Sequence, residues 1–63
     1  MKVIKNIVRD YDCYWNTKKQ KWTGLIDATV FDDNENVAEV EEGKLLDWND
    51  VTGLSNNHTN IEL

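Results

Sequence analysis

The stretch that decides the fold covers residues 15–30, which read WNTKKQKWTGLIDATV. Its first part is a polar run that begins with the turn-forming residue Asn16 and ends at Lys21. In its second part every second residue is apolar or glycine, namely Trp22, Gly24, Ile26, Ala28 and Val30. A period of two indicates a β-strand with one buried face. The stretch therefore predicts a turn that leads into a strand.

The residues before this stretch are ambiguous between helix and strand. Apolar side chains between residues 3 and 15 recur at helical spacing, but most of them are β-branched or aromatic, which favours a strand. We predict a hairpin in which Trp15 lies opposite Trp22 as a cross-strand aromatic pair. In this register Cys13 faces the core, and Asp10 lies unfavourably opposite Asp27, so the register stays open. The predicted ladder continues through the pairs Cys13–Gly24, Tyr11–Ile26, Arg9–Ala28 and Ile7–Val30.

The second half of the chain predicts one more strand and a short helix. A polar turn cluster at residues 32–36 precedes a short apolar segment, Val37 to Val40. Leu45, Trp48, Val51 and Leu54 then recur at intervals of three, and Gly53 stands where a helix C-cap glycine would. We expect a helix of about two turns from Lys44 to Thr52.

The predicted fold is mainly β, with a small α+β arrangement as the variant. It is a three-stranded antiparallel meander with a short C-terminal helix or turn packed on it. We predict that residues 1–54 form a single small domain and that residues 55–63 form a polar, mobile C-terminal tail.

Size and cysteine content narrow the class of protein. A chain of 63 residues buries only roughly 60% of its unfolded surface, so its core is thin. The sequence does not decide whether a homodimer completes this core. Cys13 is the only cysteine, which favours a reducing compartment over secretion. Residues 1–8 lack the continuous apolar run of a signal peptide, and no segment has the roughly 20 apolar residues of a membrane span. We expect a cytoplasmic protein without a membrane partner.

Charge is divided unequally along the chain. Residues 1–24 hold six basic and two acidic side chains, a net charge of +4, whereas residues 25–63 hold one lysine and ten carboxylates, a net charge of −9. A binding partner responds to this local potential more than to the total of −5. The candidate partner-binding residues form an acidic surface: Asp32, Asp33, Glu35, Glu39, Glu41, Glu42, Asp47 and Asp50.

Such a surface predicts a small, non-enzymatic interaction module that binds a protein with a basic surface. Lysines and arginines that bind phosphates also accept carboxylates, so the partner can be a nucleic-acid-binding protein. Small phage inhibitors that mimic nucleic acid are alike in size and charge, but no family motif supports more than that analogy. An acidic surface kept only for solubility explains the same pattern.

The alternative function is binding of single-stranded nucleic acid through the first hairpin. Basic residues beside aromatic side chains are the combination that phosphates and unstacked bases require. The net charge of −5 opposes this reading, because it repels a polyanion at long range. The candidate residues are Tyr14, Trp15, Lys18, Lys19, Lys21 and Trp22.

Neither a catalytic site nor a metal or cofactor site is predicted. The only histidine, His58, lies in the polar tail, away from a rigid element that would hold it beside a nucleophile such as Cys13. Residues 32–36 match the first ligand positions of a helix–loop–helix calcium loop. Val37 replaces the required glycine and Gly43 replaces the bidentate glutamate, so this match predicts a polar turn.

Overall fold

A computed structural model describes residues 1–52. Its one sheet has four antiparallel strands, and one short helix follows the last strand. The elements are β1 (Lys2–Asn6), β2 (Tyr14–Asn16), β3 (Lys21–Thr23), β4 (Gly43–Asp47) and α1 (Trp48–Thr52).

The order of the strands in the sheet is β3-β2-β1-β4. The first three strands form an antiparallel meander whose strand bounds differ from those predicted, and β4 pairs antiparallel with the other side of β1. The mainly-β prediction with a C-terminal helix is confirmed, with four strands instead of three. Within residues 1–52, no helix has the length and apolar character needed to cross a membrane.

The tip of the first hairpin has the predicted register. Trp15 lies opposite Trp22, and the two rings meet edge to face with their centroids 5.1 Å apart and their planes inclined by 67°. The carbonyl of Trp15 accepts a hydrogen bond from the Thr29 N–H, so it points away from β3. Trp15 and Trp22 therefore form a non-hydrogen-bonded pair, the type in which opposite side chains lie closest.

The strand predicted from Trp22 to Val30 is wrong beyond Thr23. A 3₁₀ turn spans Leu25–Asp27, and Ile26 is 92% exposed. The buried side chain of Asn16 donates a hydrogen bond of 2.7 Å to the Asp27 carbonyl, which anchors this bend. After the bend, Phe31 pairs with Lys2 at the start of β1. The chain thus returns to the sheet, and the predicted pairs Cys13–Gly24, Tyr11–Ile26, Arg9–Ala28 and Ile7–Val30 are not formed.

The long first strand is also wrong, because β1 ends at Asn6. The Asn6 Oδ1 atom accepts hydrogen bonds from the N–H groups of Val8 and Arg9, each at 2.9 Å. An asparagine that captures the amides following it offers the backbone a turn instead of a ladder. Residues 7–13 consequently form the loop between β1 and β2.

The third strand lies later in the chain than predicted. Residues 36–40 are irregular. Gly43–Asp47 forms β4, although the helix was predicted to begin at Lys44, and the helix begins at Trp48. Along its whole length β4 pairs with β1, which places Leu45 opposite Ile4 and Leu46 opposite Val3. Hydrogen bonding to the edge of β1 therefore makes residues 43–47 a strand, although the apolar spacing of three that starts at Leu45 predicted a helix. The predicted domain boundary after residue 54 and the tail lie outside the described residues.

The core is small and centred on β1. Its buried apolar side chains are Val3, Ile4, Cys13, Tyr14 and Phe31, so Cys13 faces the core as predicted. In the ladders Ile4 lies opposite Leu45, and Trp15 lies opposite Trp22, so the side chains of each pair are on the same face of the sheet. Ile4 and Trp15 also share a face, because both line one pocket together with residues 36–38 and 40. We call this side of the sheet, with Ile4, Trp15, Trp22 and Leu45, the groove face.

Candidate interaction surface

All eight carboxylates of the predicted acidic surface are exposed, and they fall into two groups at opposite ends of β4. Glu39, Glu41 and Glu42 precede the strand. Asp47 is its last residue and Asp50 lies in α1. Since an antiparallel strand rises about 3.4 Å per residue, the ends of β4 are separated by roughly 14 Å. Asp32, Asp33 and Glu35 lie in the turn that follows Phe31.

Positive charge partly neutralises the carboxylates near Met1 and Lys2, which include Asp33 and Asp47. The Met1 ammonium forms an ion pair with Asp33. This hydrogen bond, together with the ammonium's charge, lowers the pKa of Asp33 below its usual value of 3.8. Asp47 lies opposite Lys2 in the β1–β4 ladder, where opposite charges attract across the strands.

No lysine or arginine within residues 1–52 forms an ion pair with the carboxylates of Glu39, Glu41 or Glu42. We call Glu39, Glu41 and Glu42 the acidic end. Glu42 has a positive φ of 70°, which places it in a tight turn before β4. Its carbonyl accepts a 2.8 Å hydrogen bond from the Ile7 N–H, and its carboxylate lies 3.4 Å from the Asn6 Nδ2 donor. The turn therefore presents its carboxylates next to the loop that follows β1.

That loop carries exposed apolar side chains, two of which, Ile7 and Tyr11, were predicted to face the core. Ile7 is 60% exposed, Val8 is 64% exposed and Tyr11 is 60% exposed. Arg9 lies over the Tyr11 ring, 5.8 Å from its centroid, and donates a 3.0 Å hydrogen bond to the hydroxyl. The available sequence signal was Asn6 itself, since an asparagine inside a β-branched run favours a turn. We call residues 7–11 the apolar loop.

The candidate nucleic-acid residues are brought together only in part. Lys18 and Lys19 occupy the exposed tip of the first hairpin, and Lys21 is exposed on β3. Tyr14, in contrast, is only 5% exposed, and this burial raises the pKa of its phenol. Trp15 and Trp22 are half-buried against each other. The lysines thus reach solvent, whereas the aromatic surfaces that would stack on bases pack within the protein.

The turn at residues 32–36 has the geometry of a polar turn. The Glu35 N–H donates to the Asp32 carbonyl at 3.0 Å, and the Asp32 N–H donates to the Glu35 carboxylate at 3.1 Å. No cluster of three or more His, Cys, Asp or Glu side chains suited to a metal ion occurs in the described part of the chain. Cys13 is buried as a free thiol, and His58 lies outside the described residues.

Comparison with known proteins gives no relative: no protein-family model, curated protein or solved structure matches this chain.

Proposed function

We propose that this protein is a non-enzymatic interaction module that binds a basic surface on a partner protein. The observation that carries the proposal is the acidic end, where Glu39, Glu41 and Glu42 are exposed and no basic side chain within residues 1–52 pairs with them. Unpaired exposed carboxylates on one site attract cations from solution and steer a basic partner toward it.

The apolar loop supplies the other component that a specific interface needs. Interfaces place apolar and aromatic anchors at the centre and charged groups at the rim. Ile7 is hydrogen-bonded to Glu42 through the backbone, so the exposed side chains of Ile7 and Val8 stand beside the acidic end. In this arrangement the carboxylates guide the encounter, while the apolar loop gives the complex its lifetime.

The partner class follows from the chemistry of the carboxylates. Arginine and lysine side chains arranged for phosphate also accept carboxylate oxygens, so a nucleic-acid-binding protein is the partner we propose. The protein would then occupy the partner's nucleic-acid groove, as a nucleic-acid mimic and inhibitor of the phage type. The buried free thiol of Cys13 is compatible with a reducing compartment, and the proposal places the protein in the cytoplasm.

Matched charge reversals test the proposal. A basic protein captured from the native host is purified, and its association rate is measured for the E39K/E41K/E42K and K18E/K19E/K21E variants. We expect the first variant to associate roughly tenfold more slowly or worse, because charge steering accelerates association by about 10-fold or more. The second variant should associate at least as fast as the parent, because it changes the same number of charges in the opposite sense.

The alternative function gives the opposite pattern. Binding of single-stranded DNA or RNA at physiological salt, lost in K18E/K19E/K21E and kept in the glutamate variant, would replace the proposal with nucleic-acid binding. Competition decides the mimicry part: nucleic acid prebound to the partner should block association. Simultaneous binding of both would contradict mimicry while leaving the basic partner in place.

A further inference from the structure

We propose that the outer edge of β4 is a docking site for an extended, lysine-bearing segment of the basic partner, which adds to the sheet as a fifth strand. This inference rests on the proposed function and specifies how the partner is held. An extended segment added to a sheet edge gains affinity from main-chain hydrogen bonds and specificity from its alternate side chains.

The hydrogen bonds at both ends of β4 establish which backbone groups face outward. Trp48 donates to the Met1 carbonyl, and Ile7 donates to the Glu42 carbonyl, so residues 42 and 48 face β1. The backbone N–H and C=O groups of successive residues point to opposite edges of an antiparallel strand. Those of Gly43, Leu45 and Asp47 therefore point away from β1, toward the outer edge. The Gly43 N–H bonds to the Val40 carbonyl. Within residues 1–52, no backbone group pairs with the N–H groups of Leu45 and Asp47.

A groove lies beside this edge on the groove face of the sheet. It has a volume of about 440 Å³ and lies between β4 and residues 37–40. Its apolar walls include Ile4, Val37, Val40 and Leu45, and Leu45 is 39% exposed. A strand added to β4 would place alternate side chains beside Leu45, where an apolar side chain would enter the groove.

Charge selects the occupant of this edge. Glu39 and Lys44 both line the groove, Glu41 and Glu42 precede the strand, and Asp47 ends it. Carboxylates therefore outnumber Lys44, the only basic residue of β4. Lysines flanking an apolar centre match this distribution. A second copy of the chain would bring the same carboxylates together, and each copy carries a net charge of −5. The other sheet edge, β3, is shorter and stands beside Lys18, Lys19 and Lys21, which repel a basic segment.

A pair of synthetic peptides tests the docking mode. The probe is the heptapeptide Lys-Lys-Val-Ile-Val-Lys-Lys, and its matched control is the same peptide N-methylated at every central amide. Both have equal charge and equal side chains, but the control has no central N–H groups to donate to the β4 carbonyls, and its methyl groups obstruct close pairing with the strand. We expect the control to bind about tenfold more weakly or worse, because several main-chain hydrogen bonds are lost together.

Amide hydrogen exchange of the full chain identifies the edge. On addition of the unmethylated peptide, exchange of the Leu45 and Asp47 amides should slow. The Trp22 amide points to the outer edge of β3, because the Trp15–Trp22 pair is not hydrogen-bonded, and its exchange should not change. The Leu45→Arg variant should weaken peptide binding, whereas the Ile26→Arg variant adds the same charge at a residue that is 92% exposed and should not.

Several outcomes would overturn the inference. Equal affinity of the two peptides would mean that the carboxylates attract lysines without strand addition, which leaves the proposed function intact. Protection of the Trp22 amide would show that the peptide binds the edge of β3 and not that of β4. Binding of neither peptide would exclude docking at β4. In both cases the charge-reversal assay with the purified partner would still decide the proposed function. Leu45 and Asp47 amides that are already protected in the free protein would assign the edge to residues 53–63. Protection that grows with protein concentration would assign it to a second copy. The exchange measurement needs no variant, so it decides even if Leu45→Arg does not fold.

Discussion

Asn6 joins two turns at one end of β1, although it is a polar residue and only 2% exposed. Its Oδ1 atom accepts the amides of Val8 and Arg9, and its Nδ2 group donates to the Glu42 carboxylate. Buried polar side chains are tolerated when such partners satisfy them. Asn6 therefore sets the position of the apolar loop relative to the acidic end.

Replacing Asn6 by alanine should destabilise the protein by about 2–3 kcal/mol, since backbone amides in the loop lose their acceptor. Urea denaturation followed by tryptophan fluorescence measures this change. Asn34→Ala, in an exposed turn, is the matched control and should change the unfolding free energy by about 0.5 kcal/mol or less. Equal effects of the two substitutions would show that the Asn6 hydrogen bonds do not hold the loop.

The Asp33 carboxylate makes stability depend on pH in a defined direction. Its folded pKa lies below its unfolded pKa, so its contribution is present above the unfolded value of 3.8 and is lost as the pH falls through the folded value. We expect Asp33→Asn to lower the unfolding free energy at pH 6 and to have a smaller effect at pH 2. Denaturation at both pH values measures this difference. N-terminal acetylation should reproduce the effect at pH 6, and an effect of Asp33→Asn that is as large at pH 2 as at pH 6 would contradict the ion pair as its cause.

At the scale of the elements, the edge-to-face contact of Trp15 and Trp22 ties β2 to β3. Both side chains are half-buried, so each truncation to alanine should cost about 2–4 kcal/mol. A double-mutant cycle should give a coupling energy of about 1 kcal/mol, the value typical of paired aromatic rings. The cycle between Trp15 and Trp48, for which no ring contact occurs, serves as the control. Equal coupling in both cycles would indicate a general loss of packing.

Two glycines differ in what a methyl group would meet. A Cβ atom at Gly43 would lie 2.5 Å from the Ile4 Cγ2 atom and 3.0 Å from the Trp22 ring, so Gly43→Ala should destabilise by about 1–3 kcal/mol. At Gly24 nothing lies within 4 Å and φ is −69°. Gly24→Ala should therefore stabilise by about 0.4–1 kcal/mol, because it restricts the unfolded chain. Thermal melting of both variants checks the opposite signs, and a stabilising Gly43→Ala would contradict the close approach of β4 to Ile4.

The same elements show what local pattern predicts. The turn after Trp15 and the Trp15–Trp22 pair follow from residues close in sequence, and the prediction was correct there. β4 could not be predicted in the same way. Leu45 of β4 and Trp48, the first residue of α1, fit the apolar spacing of a helix. Only pairing with β1, which lies about forty residues earlier in the chain, makes residues 43–47 extended. Tertiary pairing here outweighs a weak local helix preference.

At the scale of the whole molecule, the charge distribution predicts how association depends on salt. The screening length falls from about 10 Å at 0.1 M salt to about 3 Å at 1 M. We expect the association rate with a basic partner to fall steeply over this range, while dissociation, governed by apolar contacts, changes little. Stopped-flow measurement at several salt concentrations tests this. An association rate that does not change with salt would assign the carboxylates to solubility.

The candidate surface was predictable only where composition was sufficient. The carboxylates were expected at the surface, and all eight are exposed. The apolar loop was not expected, because Ile7, Val8 and Tyr11 match core residues in type and spacing. Their exposure depends on the Asn6 side chain, which ends β1 one residue before Ile7.

The sequence by itself determined the features that arise between near neighbours: a mainly-β chain, a Trp15–Trp22 hairpin tip, a buried Cys13 and exposed carboxylates. These follow from residue type, turn chemistry and cross-strand packing over a few positions. Only the tertiary structure decided the fate of residues 24–47. There the Asn16 side chain donates a hydrogen bond to the Asp27 carbonyl, Phe31 pairs with Lys2, and β4 pairs with β1. Their physical reason is that backbone groups of β1 and buried amide side chains require partners, and the residues that satisfy them lie far away in sequence.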